Sequence, residues 1–160
     1  MHKTKRVINI KYKKIKGVVI MNYKVVYFTR TGTSKRVAEK IANKLSCGAI
    51  QITDNMNWKG IFGFLKGGMY ASKNKNVDIK INGNLDGADE FIVVTPLWAG
   101  GVVPAIKTFL KTISLGKIHL VVTSKGSNIK DSSGFKSVSS IVKSKKNEED
   151  IINNLVNNLL

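Results

Sequence analysis

VVYFTRTGTSKRVAEKIANKL, residues Val25–Leu45, is an apolar run, then a turn of small hydroxyl residues around one glycine, then a helix. Val25, Val26, Tyr27 and Phe28 form the short β-rich run of a strand buried on both faces. Thr29 to Ser34 cannot continue it, because four hydroxyl residues and Gly32 in six positions make a turn. Val37, Ala38, Ile41, Ala42 and Leu45 then recur at helical spacing, with charged and polar residues on the other face. A strand that runs through such a loop into a helix is an anion cradle: the first N–H groups of the helix lack intrahelical partners and lie at the positive end of its dipole. The same residues also suit a helix start capped by Thr33 or Ser34 with no ligand. The loop matches neither the G-x-x-x-x-G-K-[ST] phosphate loop nor the dinucleotide pattern G-x-G-x-x-G.

Working outward, the pattern repeats. Ala49 to Thr53 reads as a second strand, with Gly48 as the stop of the first helix. Asp54 to Lys75 is rich in apolar residues and glycine. It is expected to be an irregular, glycine-loosened helix packed on the sheet, with an amphipathic membrane contact as the alternative. Asn74 to Asp89 is polar and loop-like. Phe91 to Thr95 is a third buried strand, and the loop PLWAGG follows. Pro104 opens the next helix, whose buried stripe is Val103, Ile106, Phe109, Leu110 and Ile113. Ile118 to Thr123 is a fourth strand leading into SKGSN. Val138 to Val142 is a fifth, reached through about a dozen residues, near the lower limit for a helical crossover, so that helix is expected to be reduced or missing. Asn147 caps a last helix with Glu148, Glu149 and Asp150 in its first turn and Ile151, Ile152, Leu155, Val156, Leu159 and Leu160 on its core face.

The chain has 160 residues, enough for one domain with a proper core. Its one cysteine, Cys47, rules out an internal disulfide and points to a reducing, cytoplasmic setting. Cys47 itself is expected to be a small apolar packing residue. With only His2 and His119, a Cys/His metal site or a histidine-based nucleophile pair is not expected, and no catalytic acid, base or metal ligand stands out. No window has the roughly 18 apolar residues of a membrane span.

The net charge of +17 is unevenly placed. Residues 1–20 hold seven of the 27 basic residues and none of the ten acids, so the rest, with 20 basic and 10 acidic residues, carries +10. Those lysines are scattered and lack interleaved aromatics, which argues against specific nucleic-acid binding. Residues 1–20 form a basic N-terminal extension to a domain at 21–160. Met21 directly after it, and a Lys-Gly-Val that purine-rich codons can encode, suit a translation start at Met21. Otherwise residues 1–20 are a disordered basic arm able to make weak contact with a membrane surface or an acidic partner.

In an open parallel α/β sheet, ligands bind outside the carboxyl ends of the strands. The loops after strands one, three and four would meet there, offering hydroxyls and N–H groups, a flat indole at Trp98, and small polar residues.

FTRTGTS after strand one, TPLWAGGVVPAIKTFL after strand three and VVTSKGS after strand four resemble the flavodoxin family, most closely the short flavodoxin-like proteins of low-GC anaerobic bacteria. The stretch WKGIFGFLKGGMYA at Trp58–Ala71 is similar to the segment such relatives place between strands two and three. The resemblance covers about residues 23–160. It implies an α/β, flavodoxin-like three-layer sandwich with a five-stranded parallel sheet of order 2-1-3-4-5 and helices on both faces. It further implies FMN bound non-covalently and electron transfer with a redox partner protein or a small-molecule acceptor. Thr29, Arg30, Thr31, Gly32, Thr33 and Ser34 would hold the phosphate. Thr95, Pro96, Leu97, Trp98, Ala99 and Gly100 would line the isoalloxazine, and Thr123, Ser124, Lys125, Gly126 and Ser127 would complete the ring site.

Two departures bear on mechanism. Electron-carrier flavodoxins are acidic, whereas a body of +10 favours an anionic reduced flavin and a less negative potential. The third loop also lacks the aromatic that many members place over the outer ring face, which suits NAD(P)H- or quinone-type oxidoreductase chemistry as an alternative. A second alternative is a basic interaction module that has lost FMN.

Overall fold

A strand with apolar residues on both faces must be covered on both, and among the described residues four α-helices do this around the main sheet. The computed structural model describes residues 14–15, 18–73 and 76–160. In chain order the elements are β1 (Lys14–Ile15), β2 (Val18–Val19), β3 (Tyr23–Tyr27), α1 (Thr33–Lys44), β4 (Ala49–Asp54), α2 (Gly60–Ser72), β5 (Ile79–Asn82), β6 (Glu90–Trp98), β7 (Gly101–Val102), α3 (Pro104–Leu110), β8 (Ile118–Ser124), β9 (Ser137–Val142) and α4 (Glu148–Leu159). The expectation of a separate basic extension at 1–20 falls largely outside the described residues. Within it, β1 and β2 pair antiparallel with each other, apart from the main sheet.

The main sheet has seven strands and runs β5-β4-β3-β6-β8-β9, with β7 paired to β6. β4, β3, β6, β8 and β9 are all mutually parallel and correspond to strands 2-1-3-4-5 of the expected order. Two strands were not expected. β5 lies in the stretch read as loop and pairs antiparallel with β4 at the edge, with Ile81 opposite Ile52. Its sequence, IKIN, alternates half-buried isoleucines with exposed polar residues, the pattern of a strand covered on one face only. β6 runs through Pro96 to Trp98, beyond the expected end at Thr95, and folds back on β7, so most of the PLWAGG loop is strand.

The helices divide the core. α1 and α4 cover one face, where Val37, Ala38, Ile41 and Ala42 meet Val25, Ile92 and Val121 together with Ile152, Leu155 and Val156. α2 and α3 cover the other, where Val103, Ile106 and Phe109 meet Val26, Val93 and Leu120. Each fully buried side chain of this size contributes about 1.5–3 kcal/mol. α1 ends in a Schellman motif: Cys47 N–H donates to Ala42 O (2.9 Å) and Ser46 N–H to Asn43 O (3.2 Å), with Ser46 in the left-handed region. The left-handed residue is therefore Ser46 and not Gly48. Asn147 does precede α4, but its side chain accepts from Val142 N–H and donates to Ser140 O, pinning the helix start to β9 in place of capping it. Glu148 bonds Arg36 and Lys40 on α1, and Glu149 bonds Lys40, so the acids of the first turn also clamp α4 to α1.

Between β8 and β9 there is no helix, as the short connection implied; Ile129 and Phe135 of the loop pack against the α3 side of the core in its place. Two glycines of α2, Gly63 and Gly67, prove to be packing requirements. A Cβ on Gly63 would meet the Trp58 backbone at 2.2 Å, and one on Gly67 would meet the Trp98 indole at 2.8 Å. Gly67 lets both indoles lie against the helix, and Gly63 lets the chain at Trp58 pass close beneath it.

At the opposite end of the sheet a buried polar chain joins three strands. His119 Nε2 lies 2.8 Å from Glu90 Oε2 and Nδ1 2.7 Å from Ser137 Oγ, and Lys136 bonds the other carboxylate oxygen. A carboxylate only accepts, so Nε2 donates to Glu90. Burial pushes the Glu90 carboxyl up, but the hydrogen bonds from Lys136 and His119 outweigh it and hold the group below its ordinary value.

Two outcomes follow. Gly67→Leu should lower stability in urea by about 1–3 kcal/mol, since the indole has nowhere to retreat. Because the Glu90 pKa is lower in the folded than in the unfolded chain, its contribution is fully present above the ordinary value of 4.5 and is lost as pH falls below it. Urea titrations at neutral and acid pH should show Glu90→Gln less stable than the parent at neutral pH by about 1–2 kcal/mol and converging with it in acid.

Candidate functional site

The three loops expected to converge do so, because β3, β6 and β8 are parallel and adjacent. The link is covalent on one side and hydrogen-bonded on the other. Ser34, in the first turn of α1, is buried at 1% exposure, and its Oγ lies 2.9 Å from Oγ1 of Thr123 at the end of β8. Neither residue has water as an alternative partner at that depth, so the bond fixes α1's N-terminus against the β8 edge.

The turn between β3 and α1 is built on Gly32, which sits at φ +88° and is the N-cap of α1. Thr29 Oγ1 accepts from Gly32 N–H at 3.0 Å, closing the turn from the strand side. With glycine at the cap, no side chain caps the helix, and its first turn contains no acidic residue. The helix therefore begins with open donors and an uncompensated positive end. Thr31, Gly32 and Thr33 are exposed around it, as is Arg30, whose guanidinium donates to Trp58 O at 3.2 Å. Of the six residues expected to hold an anion, five surround the open helix end and Ser34 is turned inward to Thr123.

The β6–β7 hairpin makes the second part. Leu97 pairs with Val102 and Trp98 with Gly101, leaving Ala99 and Gly100 as a two-residue turn with φ of 51° and 78°. Both central residues in the left-handed region are the requirement of a type I′ turn, which matches strand twist. Ala99 pays about 1 kcal/mol for this, since its Cβ crowds its own carbonyl. Thr95 is fully buried, and Pro96 and Leu97 are half-buried. Trp98 is half-buried in an aromatic cluster: its ring centroid lies 5.3 Å from Trp58 and 6.1 Å from Phe28, both edge to face, with Gly67 of α2 against it. Trp58 is held in turn by its Nε1 donating to both carboxylate oxygens of Asp54, at 2.9 and 2.8 Å. Burial raises the Asp54 pKa, opposed by those bonds and by Met56 N–H.

The third part, Ser124 to Ser127, folds on itself. Ser127 N–H donates to Ser124 Oγ at 3.2 Å, and Ser144 N–H holds Lys125 O at 3.1 Å, so Lys125, Gly126 and Ser127 stand exposed at the rim. The residues that tie the edge together, Ser34 with Thr123 and Arg30 with Trp58, were not visible as pairs in the sequence, being 89 and 28 positions apart. Cys47 lies away from the edge, half-buried against the α1–α4 core, and burial pushes its thiol up. Among the described residues no group of His, Cys, Asp and Glu could hold a metal ion, and no helix is long and apolar enough to cross a membrane.

No model of a known protein family matches the sequence, and no curated protein matches it. Solved structures do match. A protein of Bacteroides eggerthii DSM 20697, provisionally described as a flavoprotein, is 19% identical with a TM-score of 0.63, covering 86% of this chain and 97% of that one. A flavoprotein of Lactobacillus acidophilus NCFM, crystallised in complex with FMN, is 16% identical with a TM-score of 0.60, covering 82% and 98%. The apo form of the Lactobacillus acidophilus flavoprotein, solved by NMR, is 16% identical with a TM-score of 0.52, covering 80% and 97%. With nearly the whole of each spanned, the chain has the fold of these proteins: a flavodoxin-like α/β sandwich.

Proposed function

We propose that the chain binds FMN non-covalently at the carboxyl edge of its sheet and serves as a redox protein, passing electrons to a partner protein or a small-molecule acceptor. The observation that carries this is the uncapped, acid-free N-terminus of α1, opened by Gly32 and bonded through Ser34 to the end of β8. A donor set of this kind suits a dianionic phosphate monoester. The FMN bound by the Lactobacillus acidophilus protein of the same fold supports the same ligand.

The residues fit the group in two halves. The first-turn N–H groups of α1 and the hydroxyls of Thr31 and Thr33 would hold the phosphate, and Arg30 would add charge beside it. The Ala99–Gly100 turn and the Ser124–Ser127 loop would flank the ring. FMN supplies the electron-accepting chemistry when bound. The chain's part is to position it, to keep water from one side through the Trp58–Trp98 cluster, and to set the local field. Lys35 and Lys125 are exposed at this edge with Arg30, and their field favours negative charge on a reduced ring.

FMN added to the flavin-free protein should bind with quenching of its fluorescence. Riboflavin, which lacks the phosphate, should bind about a hundredfold more weakly, the worth of two charge-assisted hydrogen bonds. Thr31→Glu, which puts a carboxylate at the open helix end, should weaken FMN but leave riboflavin unchanged. Equal affinity for the two flavins, or no binding of either, would overturn the assignment.

A further inference from the structure

Where β8 crosses to β9 without a helix, the molecule carries a groove of about 630 Å³ beside α3. Its floor is apolar: Val102 of β7, Leu110 of α3, Leu115, and Ile129 and Phe135 of the connecting loop. Among the described residues its walls carry three cations, Lys107 on α3, Lys111 just past its end and Lys130 on the loop. Lys107 is half-buried, and burial holds its ammonium below the ordinary lysine value. Lys111 Nζ donates to Asn76 at 2.6 Å, which keeps it on the groove wall. Lys130 is fixed from two sides. Its N–H donates to Gly100 O at 3.0 Å, and its stem lies so close over Gly100 that a Cβ there would come within 2.6 Å of Lys130 Cε. Asp131, the one acid at the rim among the described residues, accepts from Ser133 N–H at 3.0 Å and Ser133 Oγ at 2.8 Å.

Among the described lining residues three cations stand against one carboxylate, which leaves a net positive rim around an apolar floor, complementary to one kind of small molecule. We infer that this groove binds an amphipathic organic acid, a carboxylate on a flat apolar body. The body replaces water against Leu110, Leu115, Ile129 and Phe135, and the carboxylate sits among the lysine ammoniums. A neutral molecule of the same shape gains only the first term. The site does not depend on flavin, although the Ala99–Gly100 turn forms one end of it.

The test uses 2-naphthoate and its neutral counterpart 2-naphthalenemethanol, titrated calorimetrically into the full-length protein at low ionic strength. Naphthoate should saturate one site and bind at least about tenfold more tightly than the alcohol. Lys130→Glu and Lys111→Glu, both at exposed positions, should each weaken naphthoate about tenfold with the alcohol unaffected and the circular dichroism unchanged. Lys44→Glu, at the far end of α1, should do nothing. Saturating FMN should leave naphthoate binding intact. The inference fails if naphthoate binds no better than the alcohol, if Lys44→Glu weakens it as much as Lys130→Glu, or if FMN displaces it, since the probe would then report the flavin edge. Failure of the FMN reading itself is seen separately, in the flavin titration.

Discussion

Parallel pairing of β3 with β4 on one side and β6 on the other is the constraint from which the rest descends. A parallel neighbour cannot be reached by a tight turn, so each strand must be followed by a crossover of a dozen or more residues, usually a helix. That forces α1, α2 and α3 into the chain, α1 over one face and α2 and α3 over the other, and it sends the exits of β3, β6 and β8 to one edge. Val25 and Val26, both fully buried, point to opposite faces and need both helical layers. The site is thus a by-product of strand direction before any side chain is chosen for it.

What side chains add is cohesion at that edge. Ser34 and Thr123 form a buried hydroxyl pair between a helix start and a strand end that are not neighbours in the chain. Trp58 and Trp98 meet edge to face under α2, with 67° between their ring planes, and the helix comes close enough only because Gly67 lacks a Cβ against the indoles and Gly63 one against the Trp58 backbone. The opposite end is held by a different chemistry, the buried Glu90–His119–Ser137 chain with Lys136, where each polar atom is satisfied. Both ends of the sheet are therefore fixed by polar contacts, and its middle is left to aliphatic packing.

The five parallel strands, the helices and the missing crossover were legible because each rests on local period and length: solid apolar runs at Val25–Phe28, Phe91–Thr95 and Ile118–Thr123, and helical stripes in α1 and α4. β5 was not, since four residues containing Lys80 and Asn82 signal little unless Ile52 is known to lie opposite Ile81. The extension of β6 was hidden by Pro96, which reads as a stop although it sits in register with Thr123. Asn147 carries the residue type of a cap but spends its side chain on β9, a choice made by tertiary contact. The loops of the site were readable as a set; the pairs that bind them to one another were not, because nothing in one dimension sets residue 34 beside residue 123.

The loop that replaces a helix after β8 also bears on the strand it leads to. Along β9, Val138, Ser140 and Val142 share one face by strand alternation, and Val142 is buried although no helix follows β8. Ile129 and Phe135 of the loop join the same cluster as Val138, so side chains of a loop supply the cover that a helix supplies elsewhere. The other face sends Ile141 into the α1–α4 core and Ser137 to His119. At this margin the third layer is made of loop, and the sheet is closed by single side chains where elsewhere it is closed by a helical stripe.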